Sequence, residues 1–211
     1  MPYIEMVDHD YVREEPGRRA SARAILKKLK AYKKGPARLL EVGCAVGFLL
    51  DEAKKQGWEP YGVELSKWAV VHAREKFALD VSFGMVKKQH YPKWHFDCIV
   101  LSDTLEHLTD PKGTFIEISR ILKPQGILYL NTPNFNGIRA RIKGRRWPYL
   151  IALSHIYFFT FESLDKLLRT EGMRIHRRLI RPSPSPIRTF VKSALRMLNV
   201  FDELCVAATK V

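Results

Sequence analysis

Cysteine is scarce: Cys44, Cys98 and Cys205 are the only three in 211 residues. So sparse and irregular a set excludes a disulfide scaffold and a structural zinc site, and it fits a reducing, cytoplasmic setting. Cys98 and Cys205 lie in apolar runs and read as small buried hydrophobes. No apolar run nears the roughly 18 residues that cross a bilayer. The opening stretch MPYIEMVDHDYVREE has neither a basic region nor an apolar one, so it does not read as a signal peptide. Acid is missing from two long segments. Between Asn131 and Phe161 there is none, against Arg139, Arg141, Lys143, Arg145 and Arg146. Between Gly172 and Phe201 there is none either, against Arg174, Arg177, Arg178, Arg181, Arg188, Lys192 and Arg196. These segments carry nearly all of the net charge of +14, so the basic character is local.

What is present reads as one globular domain over 1–211, with 46% hydrophobic and 27% charged residues. An N-terminal helical segment occupies 1–35, its amphipathic helix running over 16–34. Strands are expected at 38–42, 60–65, 81–83, 96–101, 126–130, 173–180 and 203–210. Helices are expected at 48–56, 66–77, 111–122 and 161–171. This alternation implies crossover units and a parallel sheet. The last two strands lack a clear crossover, so one is expected to be antiparallel. Two basic inserts, 134–160 and 181–199, interrupt the pattern, and the second begins with the stiff run Arg181-Pro-Ser-Pro-Ser-Pro186.

The strand 38–42 runs into Gly43-Cys44-Ala45-Val46-Gly47, and a helix follows. Such a turn brings backbone N–H groups to a ligand. Glu64 ends the next strand, where a carboxylate can accept from ribose hydroxyls. A dinucleotide turn wants a third glycine for its pyrophosphate, and this chain has Phe48 there. S-adenosylmethionine has no phosphate and needs an acid near its ammonium, a place Glu41 can take. The plainer alternative is a crossover turn with a glutamate at the edge of the core.

These motifs carry a resemblance. LLEVGCAVG, YGVELS, FDCIVLSDTLEHLTDP and ILKPQGILYLNTPN resemble, in order, the motifs of the Rossmann-like, class I S-adenosylmethionine-dependent methyltransferases. The Leu-Glu-His after the fourth strand and HIYFFTFESLDKLLRTEGM resemble the subgroup of ubiquinone-type O-methyltransferases and cell-surface sugar pathway enzymes. The resemblance implies a doubly wound, mostly parallel seven-stranded sheet, with helices on both faces and one antiparallel strand near the C-terminus. It implies a cofactor pocket of Glu41, Gly43, Cys44, Ala45, Gly47, Phe48, Glu64, Leu65, Ser66, Gly84, Met85, Ser102, Asp103 and Thr104. Two departures stand out. Ala45 replaces a usual glycine. The usual acid after the third strand is missing, leaving Gly84 and Met85 to border the adenine.

A hydroxyl acceptor needs a base, and His107 and His155 are the candidates. Each has a second reading, His107 as a brace of the following loop and His155 as a histidine satisfied within an apolar cluster. The spacing of Glu106, His107 and Asp110 is not diagnostic, and no metal is assigned. The acceptor is expected to be small or lipid-linked. Basic stretches with aromatics at 138–159, and a basic amphipathic helix at 187–198, suit an anionic membrane surface. The other reading is a pocket lid with solvated charges. Nucleic acid is disfavoured, because no RNA-binding module is recognisable. The competing functions are a catalytically silent, membrane-binding module on the same scaffold, a nicotinamide oxidoreductase and an RNA methyltransferase.

Overall fold

Leu39 and Leu40 are neighbours in the chain, yet they pack into cores on opposite faces of one sheet. Successive strand residues point to opposite faces, so a strand covered on both sides must be apolar throughout. The computed structural model describes residues 11–33, 36–150, 155–179 and 203–210. Its strands are β1 (Arg38–Val42), β2 (Glu59–Glu64), β3 (Asp80–Phe83), β4 (Phe96–Ser102), β5 (Leu122–Pro133), β6 (Met173–Arg178) and β7 (Glu203–Lys210). They form one sheet in the order β3-β2-β1-β4-β5-β7-β6. Strands β1 to β5 pair in parallel. Strand β7 slots between β5 and β6, antiparallel to both. The Rossmann-like expectation holds, including the late antiparallel strand.

Helices α1 (Glu15–Leu29), α2 (Phe48–Lys55) and α3 (Lys67–Phe77) cover one face. Helices α4 (Pro111–Ile121) and α6 (Phe161–Thr170) cover the other. A short α5 (Ile138–Lys143) lies in the first basic insert. The helix starts follow their caps. Ser66 Oγ accepts from the Ala69 amide at 3.1 Å, Asp110 Oδ1 accepts from that of Gly113 at 2.9 Å, and Thr160 and Ser163 form a reciprocal capping box. Arg19 ties α1 to α2 through Asp51 at 2.5 Å and Glu52 at 3.0 Å.

Between the expected helix at 111–122 and the expected strand at 126–130, the run Lys123-Pro124-Gln125-Gly126 is a bulge within β5 and not a break before it. Leu122 already pairs with Phe96, and five residues then advance on β5 against two on β4. Gln125 takes a left-handed φ of 63° there. Strand β5 also runs on to Pro133, past the expected end at Leu130, because β7 pairs with it as far as Pro133↔Glu203. The proline run 181–186 and the basic helix 187–198 fall outside the described residues.

Candidate active site

Strand order reverses between β1 and β4, and in open α/β sheets ligands sit outside the carboxyl ends at such a point. Gly43 and Gly47 have φ of 73° and 85°. Their lack of a side chain answers to the protein's own packing. A Cβ on Gly43 would stand 2.7 Å from Thr104, and one on Gly47 would stand 2.6 Å from Leu79. Thr104 Oγ1 in turn donates to the Val42 carbonyl at 3.1 Å, pinning the end of β4 to the end of β1. Ala45 sits at φ 45°, a conformation that costs an L-residue roughly 1–2 kcal/mol.

Glu64 stabilises that strained turn. Its Oε2 accepts from the Ala45 amide at 2.8 Å, and its Oε1 accepts from those of Leu65 and Ser66 at 2.6 and 2.9 Å. A carboxylate offers about four lone-pair sites, so about one remains for a ligand. Glu41 is in the opposite state. It is buried, and its Oε2 has no partner. Burial, and then the nearby charge of Glu64, push its carboxyl well above the usual range. A buried acceptor in want of a cation suits the ammonium of S-adenosylmethionine. Leu65, Phe83 and Met85 are large exposed apolar residues at the carboxyl ends of β2 and β3, a surface fit for adenine by apolar contact. Gly84, at φ 119°, follows Phe83.

Asp103, just past Ser102, adopts φ 53° and accepts from Asn131 Nδ2 at 2.8 Å. Buried Asn131 and Thr132, which lie near the end of β5, were not expected as site residues. Their trace in the sequence is the polar run Asn131-Thr132-Pro133-Asn134 after the apolar strand. Thr132 Oγ1 donates to Glu106 Oε2 at 2.9 Å. Burial pushes the Glu106 carboxyl up to about 7. The Glu106 carbonyl accepts from the Ile156 and Tyr157 amides at 2.8 and 3.2 Å, which draws the insert across the sheet edge. His155 thereby meets His107, ring centroids 4.8 Å apart. Glu106, His107 and His155 offer donor atoms all within 4.8 Å of one another, a set that can coordinate a cation. Asp110 does not join them. It caps α4 and pairs with Lys87 at 2.7 Å.

Among the described residues, the insert's aromatics divide between interior and surface. Trp147 is buried against Phe135 and Tyr149, and Tyr149 stacks on His155 with centroids 5.9 Å apart. Among its described residues, Phe135, Ile142, Ile156 and Tyr157 are large exposed apolar side chains. Tyr11, which no motif marks, stacks on Phe48 with ring centroids 5.9 Å apart.

A family model described as a methyltransferase domain matches residues 14–177. The chain belongs to this family. The methyltransferase is 26% identical over 155 residues to the ubiquinone biosynthesis O-methyltransferase of Vibrio cholerae serotype O1, covering 69% of the chain and 56% of that protein. It is 30% identical over 106 residues to the enzyme of that name from Paracidovorax citrulli, covering 47% of the chain and 44% of that protein. The chain therefore spans about half the length of these curated relatives. A S-adenosylmethionine-dependent methyltransferase from Archaeoglobus fulgidus superposes with a TM-score of 0.69 at 20% identity, covering 95% of this chain and 99% of that one. The [4+2]-cyclase SpnF superposes with 0.66 at 21% identity, covering 89% and 80%. That likeness is one of fold, and fold leaves the reaction open. The cofactor of the family is S-adenosylmethionine, not a dinucleotide.

Proposed function

We propose that the chain transfers a methyl group from S-adenosylmethionine to a hydroxyl oxygen of a small or lipid-linked acceptor. The observation behind this reading is the tautomer of His155. A carbonyl only accepts, so the Nδ1 that meets the Tyr149 carbonyl at 2.8 Å carries a proton and donates it. In the neutral ring Nε2 then keeps the lone pair. Burial first, with the charge of His107, lowers the proton affinity of this imidazole against the opposing Tyr149 carbonyl and Asp103. His155 is thus neutral at pH 7 and able to take the acceptor's hydroxyl proton as the oxygen takes the methyl. The bound cofactor supplies a sulfonium-activated methyl and leaves as a neutral thioether. Glu41 and the turn at Gly43–Gly47 contribute orientation.

The acceptor is reached, in this proposal, from an anionic membrane surface. Ile142 is 78% exposed and is followed by exposed Lys143, Arg145 and Arg146. An apolar side chain standing among cations suits anionic headgroups.

The test pairs calorimetry of cofactor binding with transfer of labelled methyl to a panel of hydroxylated aromatic acceptors. His155→Asn is expected to keep cofactor affinity within about twofold and to slow transfer by about 10²–10⁴. Equal rates in both proteins would remove His155 from proton transfer. Cofactor binding without transfer to any acceptor would favour the silent module. Activity lost to EDTA and restored by zinc would assign Glu106, His107 and His155 to a metal.

A further inference from the structure

Ahead of α1, a helical turn at 11–13 packs against the cofactor turn. Tyr11 and Val12 rest on Val46, Phe48 and Ala69, which come from the glycine turn, the start of α2 and the start of α3. The Tyr11 ring lies at 16° to that of Phe48. The Arg18 guanidinium stands over the Tyr11 ring, 3.9 Å from its centroid. Stacked on a ring and covered by a guanidinium, this phenol has little rotational freedom left.

The groups whose charge acts on the Tyr11 hydroxyl are Arg18 on one side and Glu41, Asp103 and Cys44 on the other. Those last three belong to the carboxyl ends of β1 and β4. Burial dominates and raises the phenol above its ordinary range, so it remains a neutral hydroxyl at any working pH. The cradle under it holds two carboxyl groups, and one of them, Glu41, has a buried oxygen without a partner. Burial and the charge of Glu64 both push the Glu41 carboxyl up. A space with these walls selects a ligand with positive charge spread along it.

We infer that Tyr11 is a positioning residue for the methyl donor, its phenol oxygen facing the sulfonium while Glu41 holds the ammonium. The inference rests on the reading of this cradle as the S-adenosylmethionine site. The order along the cradle assigns the two charges. Glu41 lies on β1, before the turn. Asp103 lies toward His155, on whose ring its charge also acts. The charges of both acids act on the Tyr11 phenol, whose ring packs on the turn between them, and the proposal sets the sulfonium beside it, between the ammonium end and the acceptor end. The turn at Tyr11 and Val12 is thereby part of the wall beside the glycine turn.

The test uses the full chain and two ligands, S-adenosylmethionine and S-adenosylhomocysteine, which share the ammonium and differ in the sulfonium charge. Tyr11→Phe keeps the ring and its stacking on Phe48, so its melting temperature is expected to stay within about 2 °C. Its affinity for S-adenosylmethionine is expected to fall about tenfold, the size of one lost interaction with a charged group. Its affinity for S-adenosylhomocysteine is expected to fall less than about threefold. Tyr11→Ala removes the ring as well and should weaken both ligands. Equal, small changes for both ligands in Tyr11→Phe would overturn the inference, leaving Tyr11 as packing alone. A wild-type chain that binds neither ligand would overturn the cofactor reading and this inference with it.

Discussion

Glu41 and Glu64 lie at the carboxyl ends of neighbouring strands, and the charge of Glu64 acts on Glu41, yet their surroundings are opposite. Glu64 accepts three backbone N–H bonds, while Glu41 has an oxygen with none. The raised Glu41 carboxyl therefore stays protonated at a pH where an ordinary glutamate is ionised. A bound ammonium would pull that proton affinity down, so cofactor binding should release a proton. By linkage, affinity should rise with pH until the empty site is itself ionised. Calorimetry in two buffers of different ionisation heat reads the released proton directly. No difference between buffers at pH 6 would mean that Glu41 is already charged or does not meet the cofactor. The two acids are legible in the sequence because a strand, a glycine turn and a second strand fix where carboxyl ends fall. Tyr11 is not, because nothing in the polar opening stretch marks which side chain folds back. Nor is the pair His107–His155, which depends on the Glu106 carbonyl bonding to amides 50 residues on.

At the opposite edge of the sheet, Asp97 joins three elements near their starts. It accepts from the Arg38 amide of β1 at 3.0 Å, and it pairs with Lys33 and Lys123 at 2.9 Å each. Burial alone would push its carboxyl up, but Lys123, Lys33 and the amide outweigh burial, and the net shift is downward. A carboxyl with a depressed folded value adds stability above the unfolded value of about 4, and loses it as pH falls through the folded value. Asp97→Asn should thus cost about 1–3 kcal/mol at pH 7 in urea unfolding, with the gap to wild type closing in acid. A gap unchanged at the lowest pH where both proteins fold would assign the cost to packing instead. Element positions are largely legible, since apolar period, Ser66 and the glycines after the helices bound most of them to within a residue or two. What is hidden is pairing. The bulge at Lys123–Gly126 reads locally as a turn, and only the bridge Phe96↔Leu122 makes it part of β5. The place of β7 depends on small side chains, Ala207 and Ala208, that let it lie buried between two strands.

At the scale of the whole molecule, the sequence puts a cationic insert after β5, with most of the net charge of +14 falling after residue 130. The structure divides that insert in two. Its inner part, buried Trp147 with half-buried Tyr149, packs against His155, one of the catalytic candidates. Its outer part, α5 and the turn Gly144–Arg146, exposes Ile142 beside Lys143, Arg145 and Arg146. The proposed membrane face is therefore narrower than aromatics along 138–159 would make it, because the tryptophan serves the interior. Each basic residue near an anionic surface contributes about 1 kcal/mol, so Arg145→Gln with Arg146→Gln should weaken partitioning onto phosphatidylglycerol vesicles about 30-fold. Ile142→Asp should weaken it further, through lost insertion and added repulsion. Binding should also fade as salt rises, since the Debye length shrinks from about 10 Å at 0.1 M to about 3 Å at 1 M. Sedimentation with anionic and with neutral vesicles separates the contributions. Binding that ignores lipid charge would contradict the cationic face. No binding in either case would reduce α5 and its turn to a solvated rim over the pocket, and the acceptor would then be a small molecule arriving from water.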